Sequence, residues 1–227
     1  MPFASPSPTQ ADLRFQLFGF PVRIHPFFWV LCLLVGREKE PLRVLVWTLV
    51  VLVSVLVHEL GHAVLQRRFG GRPNIVLYGM GGLAIPNGPP VSPWRQIAIS
   101  LAGPGAGFLL AAGVTIAVVL LPEVSSPVAA QLLNDLLLVN IVWGVLNLLP
   151  IYPLDGGHVA RELLLMKLRP DRGIVASLWL SIGVCVALAA LILTRGFSLW
   201  NLLLVGLLGF SNYQALQAYQ QSRRGGW

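Results

Sequence analysis

Long apolar runs alternate along the chain with short stretches rich in Arg, Gly and Pro. The runs fall near residues 24–36, 44–66, 97–121, 129–149, 174–193 and 197–213. A helix needs about 20 residues to cross the hydrocarbon layer. The second to fifth runs meet that length, with Asp135 near the outer edge of the fourth. The first is marginal unless it begins nearer Leu17, and the last is short and contains Asn201. The pattern predicts an all-α polytopic membrane protein with about six transmembrane helices. Residues 71–93 are too broken by Gly and Pro for a helix. Within them, Asn74–Tyr78 and Leu83–Ile85 read as strands joined through Gly79–Gly82, a membrane-associated β-hairpin between the second and third helices. Residues 157–168 read as a short helix with Arg161, Glu162 and Lys167 toward water. The implied organisation is a flexible cytoplasmic tail over 1–16, a single transmembrane domain over 17–215 and a basic cytoplasmic tail over 216–227.

Composition sharpens this picture. Only 11% of residues are charged, against roughly 25% in an ordinary soluble domain, too few to build a water-facing surface. The net charge of +7 resides in basic residues between apolar runs, with no basic patch interleaved with aromatics. That arrangement argues against nucleic acid as a partner and for a topological role. With six crossings, twelve of the 16 Lys and Arg fall on one side, and only Arg37, Lys39, Arg43 and Arg195 on the other. The bias predicts cytoplasmic termini for an integral multi-pass protein, which is expected in a bacterial cell membrane. Cys32 and Cys185 lie in apolar runs and read as small buried hydrophobes.

The second run carries the candidate chemistry, His58-Glu59-Leu60-Gly61-His62. Residues four apart share a helix face, so both imidazoles can reach one zinc ion, while Glu59 can act as general base on a metal-bound water. A buried polar network between helices is the bland alternative. Placing Glu and His in an apolar segment is costly, and such residues inside a membrane usually mark function. Catalytic zinc takes three protein ligands and leaves a position for water. Asp155, in Asn147-Leu148-Leu149-Pro150-Ile151-Tyr152-Pro153-Leu154-Asp155-Gly156-Gly157, follows the fourth run at a matching depth. His158 lies only three residues beyond it, and spacing alone does not choose between the two.

Together these stretches resemble the site-2 protease family of intramembrane zinc metalloproteases. Residues 58–62 match the family's zinc motif, and Asn147 through Gly157 its NxxPxxPxDGG pattern. The resemblance covers about residues 20–165 and implies His58, His62 and Asp155 as ligands of one Zn2+ per chain, with Glu59 as catalytic carboxylate. His25-Pro26 is similar to the start of the family's first helix. Gly81-Gly82 resembles a hairpin motif thought to present extended substrate, and Ala102-Gly103-Pro104-Gly105 a small-residue motif opening the next helix. Asn140 and Asn147 lie seven residues apart on the fourth run. The resemblance associates them with the active site, where an oxyanion role for Asn140 and a substrate-binding role for Asn147 are physically reasonable. For either residue, interhelical hydrogen bonding is the competing explanation. The family's PDZ-like insert between spans and its nucleotide-sensing domain after the last are expected to be absent, a minimal form.

The expected function is therefore hydrolysis of peptide bonds in transmembrane substrate proteins near the cytoplasmic side of the bilayer, as in regulated intramembrane proteolysis. A divalent-metal transporter would also need intramembrane His and Asp, but a glutamate beside the first ligand suits hydrolysis better. A complete His, Glu, His and Asp set argues against a silent scaffold.

Overall fold

The computed structural model describes residues 7–36, 39–79, 81–85, 87–120, 126–196 and 199–224. Residues 1–6 of the expected tail, Met80 in the expected hairpin turn and residues 225–227 lie outside that set. The elements run β1 (Leu13–Leu17), β2 (Phe20–Ile24), α1 (Pro26–Val35), α2 (Pro41–Arg68), β3 (Asn74–Tyr78), β4 (Gly81–Ile85), α3 (Pro93–Leu120), α4 (Pro127–Asn147), α5 (Asp155–Lys167), α6 (Pro170–Arg195) and α7 (Leu199–Arg224). Five of the helices open on proline, whose fixed φ suits the first helical position and whose missing N–H is unneeded there. His25 precedes α1 as its cap, its Nδ1 accepting from the Phe27 N–H at 3.2 Å.

Among the described residues four helices, α2, α3, α4 and α6, are long and apolar enough to cross a membrane, and the chain is an integral multi-pass membrane protein. This corrects the expected six transmembrane helices. Among the described residues α1 has only 10, which spans about 15 Å at 1.5 Å per residue, half the hydrocarbon thickness. Helix α7 has 26 residues but is not apolar enough to count. Asn201 and Asn212 interrupt its apolar part, and Gln214, Gln217, Gln220 and Gln221 make its second half polar. The hairpin expected between the second and third spans is present as β3–β4, but it belongs to a larger sheet. The order is β1-β2-β3-β4, antiparallel at both ends and parallel between β2 and β3. Among the described residues regular structure thus begins at Leu13, inside the stretch read as a tail.

The chain forms two compact units, Ala4–Leu146 and Asn147–Trp227. In the first, the buried face of the sheet (Phe20, Val22, Ile24, Ile75, Leu77) packs with Phe28, Val55 and Ala63 of α1 and α2 into one core. Strand β4 lies along the C-terminal half of α2, with Gly82 against Glu59 and the Ala84 carbonyl accepting from Gln66 Nε2 at 3.3 Å. In the second unit, α6 packs against both α5 and α7. Its core is Ile151, Cys185 and Leu208. Both cysteines are free and buried, as their apolar surroundings suggested.

Candidate metal centre

Helix α2 places His58, Glu59 and His62 on its buried side, with exposures of 5%, 5% and 7%. Helix α3 supplies the surroundings. The Ile99 carbonyl lies 2.7 Å from Nδ1 of His62. A carbonyl only accepts, so Nδ1 carries the proton and Nε2 offers its lone pair. Nε2 of His62 in turn lies 3.1 Å from Nε2 of His58. Two imidazoles on one tetrahedral zinc, each with a bond of about 2.0–2.1 Å, bring their donor atoms to roughly 3.3 Å from one another. The observed pair is close to that spacing.

Glycines leave room for it. A Cβ on Gly103 would run into Nε2 of His62 and come within 2.8 Å of Nε2 of His58. The hydrogen at this position is what leaves the imidazole tips their space. One on Gly61 would meet the Ala102 carbonyl oxygen and approach its carbon to 2.8 Å, so α2 and α3 touch at Gly61 and Ala102. Gly105 has open space around it, so of the expected small-residue motif it is Ala102 and Gly103 that make the close approach.

Glu59 lies against β4. A Cβ on Gly82 would stand 2.5 Å from Oε1 of Glu59 and 2.6 Å from its Cδ. Gly81, at φ +112°, faces the other way, its missing side chain 3.0 Å from Cζ2 of Trp143. The two glycines expected to serve substrate thus separate, one against Glu59 and one against α4. Burial, and after it the charge of Glu59, push the Tyr78 phenol upward, so Tyr78 keeps its hydroxyl proton in neutral water. Asn140, 3% exposed, donates from Nδ2 to Ser54 Oγ at 2.9 Å and to the Leu136 carbonyl at 2.8 Å. It therefore ties α4 to α2 one turn before His58. Asn147 ends α4, half-buried.

In the second unit, Asp155 is the first residue of α5 and half-buried. Gly156 and Gly157 are packed without clearance against the preceding backbone. A Cβ on Gly156 would enter the Leu148 carbonyl, and one on Gly157 the peptide between Ile151 and Tyr152. The first turn of α5 is thus folded back on the Leu148–Tyr152 segment. His158, the other candidate ligand, has its ring 4.9 Å from the Tyr152 ring. Among the described residues, His58, His62 and Asp155 are a group that could hold a single metal ion. Two imidazoles and a carboxylate are a donor set that fits zinc.

Three contributors were not anticipated from sequence. The Ile99 carbonyl is a backbone group with no side-chain signature. Ser54 precedes His58 by four residues, a spacing that could have identified it. Gly61 sits inside the motif, where its role as a contact surface is hidden by the ligands around it.

Comparison with known proteins yields a match to the model for Peptidase family M50 over residues 46–135 and 123–190. The chain is 28% identical over 195 residues to the zinc metalloprotease MJ0392 of Methanocaldococcus jannaschii, covering 84% of this chain and 55% of that protein. It is 32% identical over 178 residues to stage IV sporulation protein FB of Bacillus subtilis, covering 76% of this chain and 57% of that protein. The chain thus spans little more than half the length of these relatives. Its fold resembles the solved site-2 protease from Methanocaldococcus jannaschii, with a TM-score of 0.64, 23% identity and coverage of 90% of this chain and 95% of that one.

Proposed function

The chain belongs to peptidase family M50, and from that membership we propose that it is an intramembrane zinc endopeptidase acting on transmembrane proteins near the cytoplasmic face. The observation that carries this reading is the buried pair of imidazole Nε2 atoms at 3.1 Å, with the Glu59 carboxyl one residue along the same helix. A transport site has no need of that carboxylate, whereas hydrolysis needs a base beside its water.

His58, His62 and Asp155 are assigned as ligands of one zinc. Zinc held there supplies Lewis acidity and lowers the pKa of water toward about 7. Glu59 accepts the proton of the attacking water and passes it to the leaving amine. Its lodging against Gly82 keeps the carboxylate aimed and limits its rotation. A peptide entering as an extended strand pairs with β4, the edge strand beside Glu59, and so passes Glu59 at Gly82. Gly81 and Gly82 are assigned to substrate on this ground, and Asn147 through its place on α4. Asn140 is assigned to oxyanion stabilisation. Both of its donor hydrogens are engaged at rest, by Ser54 and Leu136, so it serves an oxyanion by giving up the Ser54 contact. A helical substrate must unwind first, because helical hydrogen bonds occupy the scissile carbonyl.

Both termini are assigned to the cytoplasm. The basic bias was counted with six crossings; with four, a cytoplasmic location of the termini requires α1 and α7 to lead back to that side although neither is a long apolar span, and two contacts are consistent with that return. Arg67 donates to the Phe18 carbonyl at 3.1 Å, which keeps the β1–β2 turn at the basic end of α2. Arg223 pairs with Asp171 at 3.3 Å, which brings the end of α7 back beside the start of α6. In a Cys32→Ala, Cys185→Ala background, single cysteines at Gln10 and Gln220 are expected to resist a membrane-impermeant thiol reagent until the cells are opened. A cysteine at Lys39 should react in intact cells. Labelling of the Gln10 position from outside would reverse the orientation.

The activity itself is tested by comparing membrane proteomes of cells expressing the parent or Glu59→Gln. Fragments ending within predicted spans are expected only with the parent. Identical fragment sets would remove the protease assignment.

A further inference from the structure

Helix α7 fails as an apolar span partly because of Asn212, yet Asn212 is among the most deeply buried side chains, at 1% exposure. Its Nδ2 donates to the Leu208 carbonyl at 2.8 Å, one turn back on α7, and to the Tyr152 carbonyl at 2.5 Å. From the other flank, Ser181 of α6, also 1% exposed, accepts the Tyr152 N–H at 2.9 Å through its Oγ. The same hydroxyl donates to the Ser177 carbonyl at 2.9 Å. Both backbone polar groups of Tyr152, a residue outside any helix, are therefore held by buried side chains from two different helices. The Tyr152 ring is gripped as well. The Arg161 guanidinium stacks 3.7 Å above it, and Nε of Arg161 donates to Ser177 Oγ at 3.1 Å.

This segment is the surface on which the first turn of α5 rests. Gly157 sits on the Ile151–Tyr152 peptide and Gly156 on the Leu148 carbonyl, with no space for a methyl group at either. Contacts that close transmit displacement, since packed backbone cannot yield without moving its neighbour. A shift of the Tyr152 peptide therefore moves Gly157, and with it the first turn of α5 that begins at Asp155.

We infer that Ser181 and Asn212 are positioning residues for Asp155, fixing the carboxylate through the Tyr152 backbone and Gly157. The inference rests on the reading of Asp155 as a zinc ligand. Outer partners of metal ligands, when removed, typically weaken metal binding about 10–100-fold. Backbone groups at membrane depth also need partners for stability alone, so the test must separate the two roles.

The full chain in detergent is compared with Asn212→Leu, Ser181→Ala, Ser181→Thr, Ser211→Ala and Asp155→Ala. Zinc affinity is measured by chelator competition, coordination by the visible spectrum of the cobalt(II)-loaded protein, and stability by the Tm of the metal-free form. Asn212→Leu and Ser181→Ala are expected to bind zinc about 10–100-fold more weakly and to shift the cobalt bands, with a metal-free Tm near the parent's. Ser181→Thr, which keeps the hydroxyl, should restore both, and Ser211→Ala should match the parent. Parent-like affinity and spectrum in Asn212→Leu and Ser181→Ala, beside a weakened Asp155→Ala, overturn the inference alone. A weakened affinity matched throughout by a fall in metal-free Tm overturns it as well, in favour of a purely structural role. Parent-like zinc affinity in Asp155→Ala overturns the ligand assignment beneath it. Should Asn212→Leu fail to fold, the Ser181→Ala and Ser181→Thr pair decides the question.

Discussion

Replacing Glu59 by Gln is expected to reduce turnover of a membrane-spanning test substrate by at least about a hundredfold, the low end for removing a general acid–base group. Zinc content and insertion should be unchanged. The substitution keeps volume and most hydrogen bonding, which matters at a position 5% exposed and in contact with Gly82. What it removes is basicity, since an amide cannot take up the water proton. The measurement is a detergent or liposome reaction with zinc determined on the same samples. Full cleavage by the zinc-loaded variant would take Glu59 out of the mechanism. Loss of zinc in step with activity would move it from proton transfer to support of the ligands.

The second large effect concerns the metal. The parent chain should carry close to one zinc, and the double variant His58→Ala, His62→Ala should lose nearly all of it. Each histidine supplies a donor atom, and removing both leaves Asp155 alone, far short of a three-ligand site. Asp155→Ala should weaken binding, whereas His158→Ala should leave the stoichiometry intact, because the His158 ring packs beside Tyr152. Elemental analysis after metal-sparing purification decides among these outcomes. A zinc-free parent that gains no activity on addition of zinc would dismiss the site. Loss of zinc in His158→Ala with retention in Asp155→Ala would exchange the third ligand.

The parts of the fold that could be read from the chain are those where local geometry carries the message. Residues four apart on a helix share a face whatever surrounds them, so His58 and His62 could be paired without a structure. The β3–β4 hairpin was likewise signalled by Asn74–Tyr78 flanked by Gly and Pro. Strand β1 carries a local signal too, with Leu13, Phe15 and Leu17 alternating against Arg14 and Gln16. It was masked because Leu17 also extends the first apolar run. The six-span count failed where an apolar run is not a span. Helix α1 ends after 10 residues at Gly36, and α7 carries too much amide. What local pattern could not supply is the rotation of one helix against the next. The Ile99 carbonyl beside His62 and the Ser54 hydroxyl beside Asn140 follow from that rotation, as does the reach of Asn212 to a backbone 60 residues earlier.

The depth of His58, Glu59 and His62, each exposed by 7% or less, also bears on time. A chelator in solution must reach the donor atoms, and at rest these are covered by α3 and β4. Metal departure then waits on an opening of the protein, as amide exchange from a protected core does. Above a threshold chelator concentration, inactivation should become first-order with a rate independent of that concentration. That plateau sets an upper bound on the lifetime of the covered state.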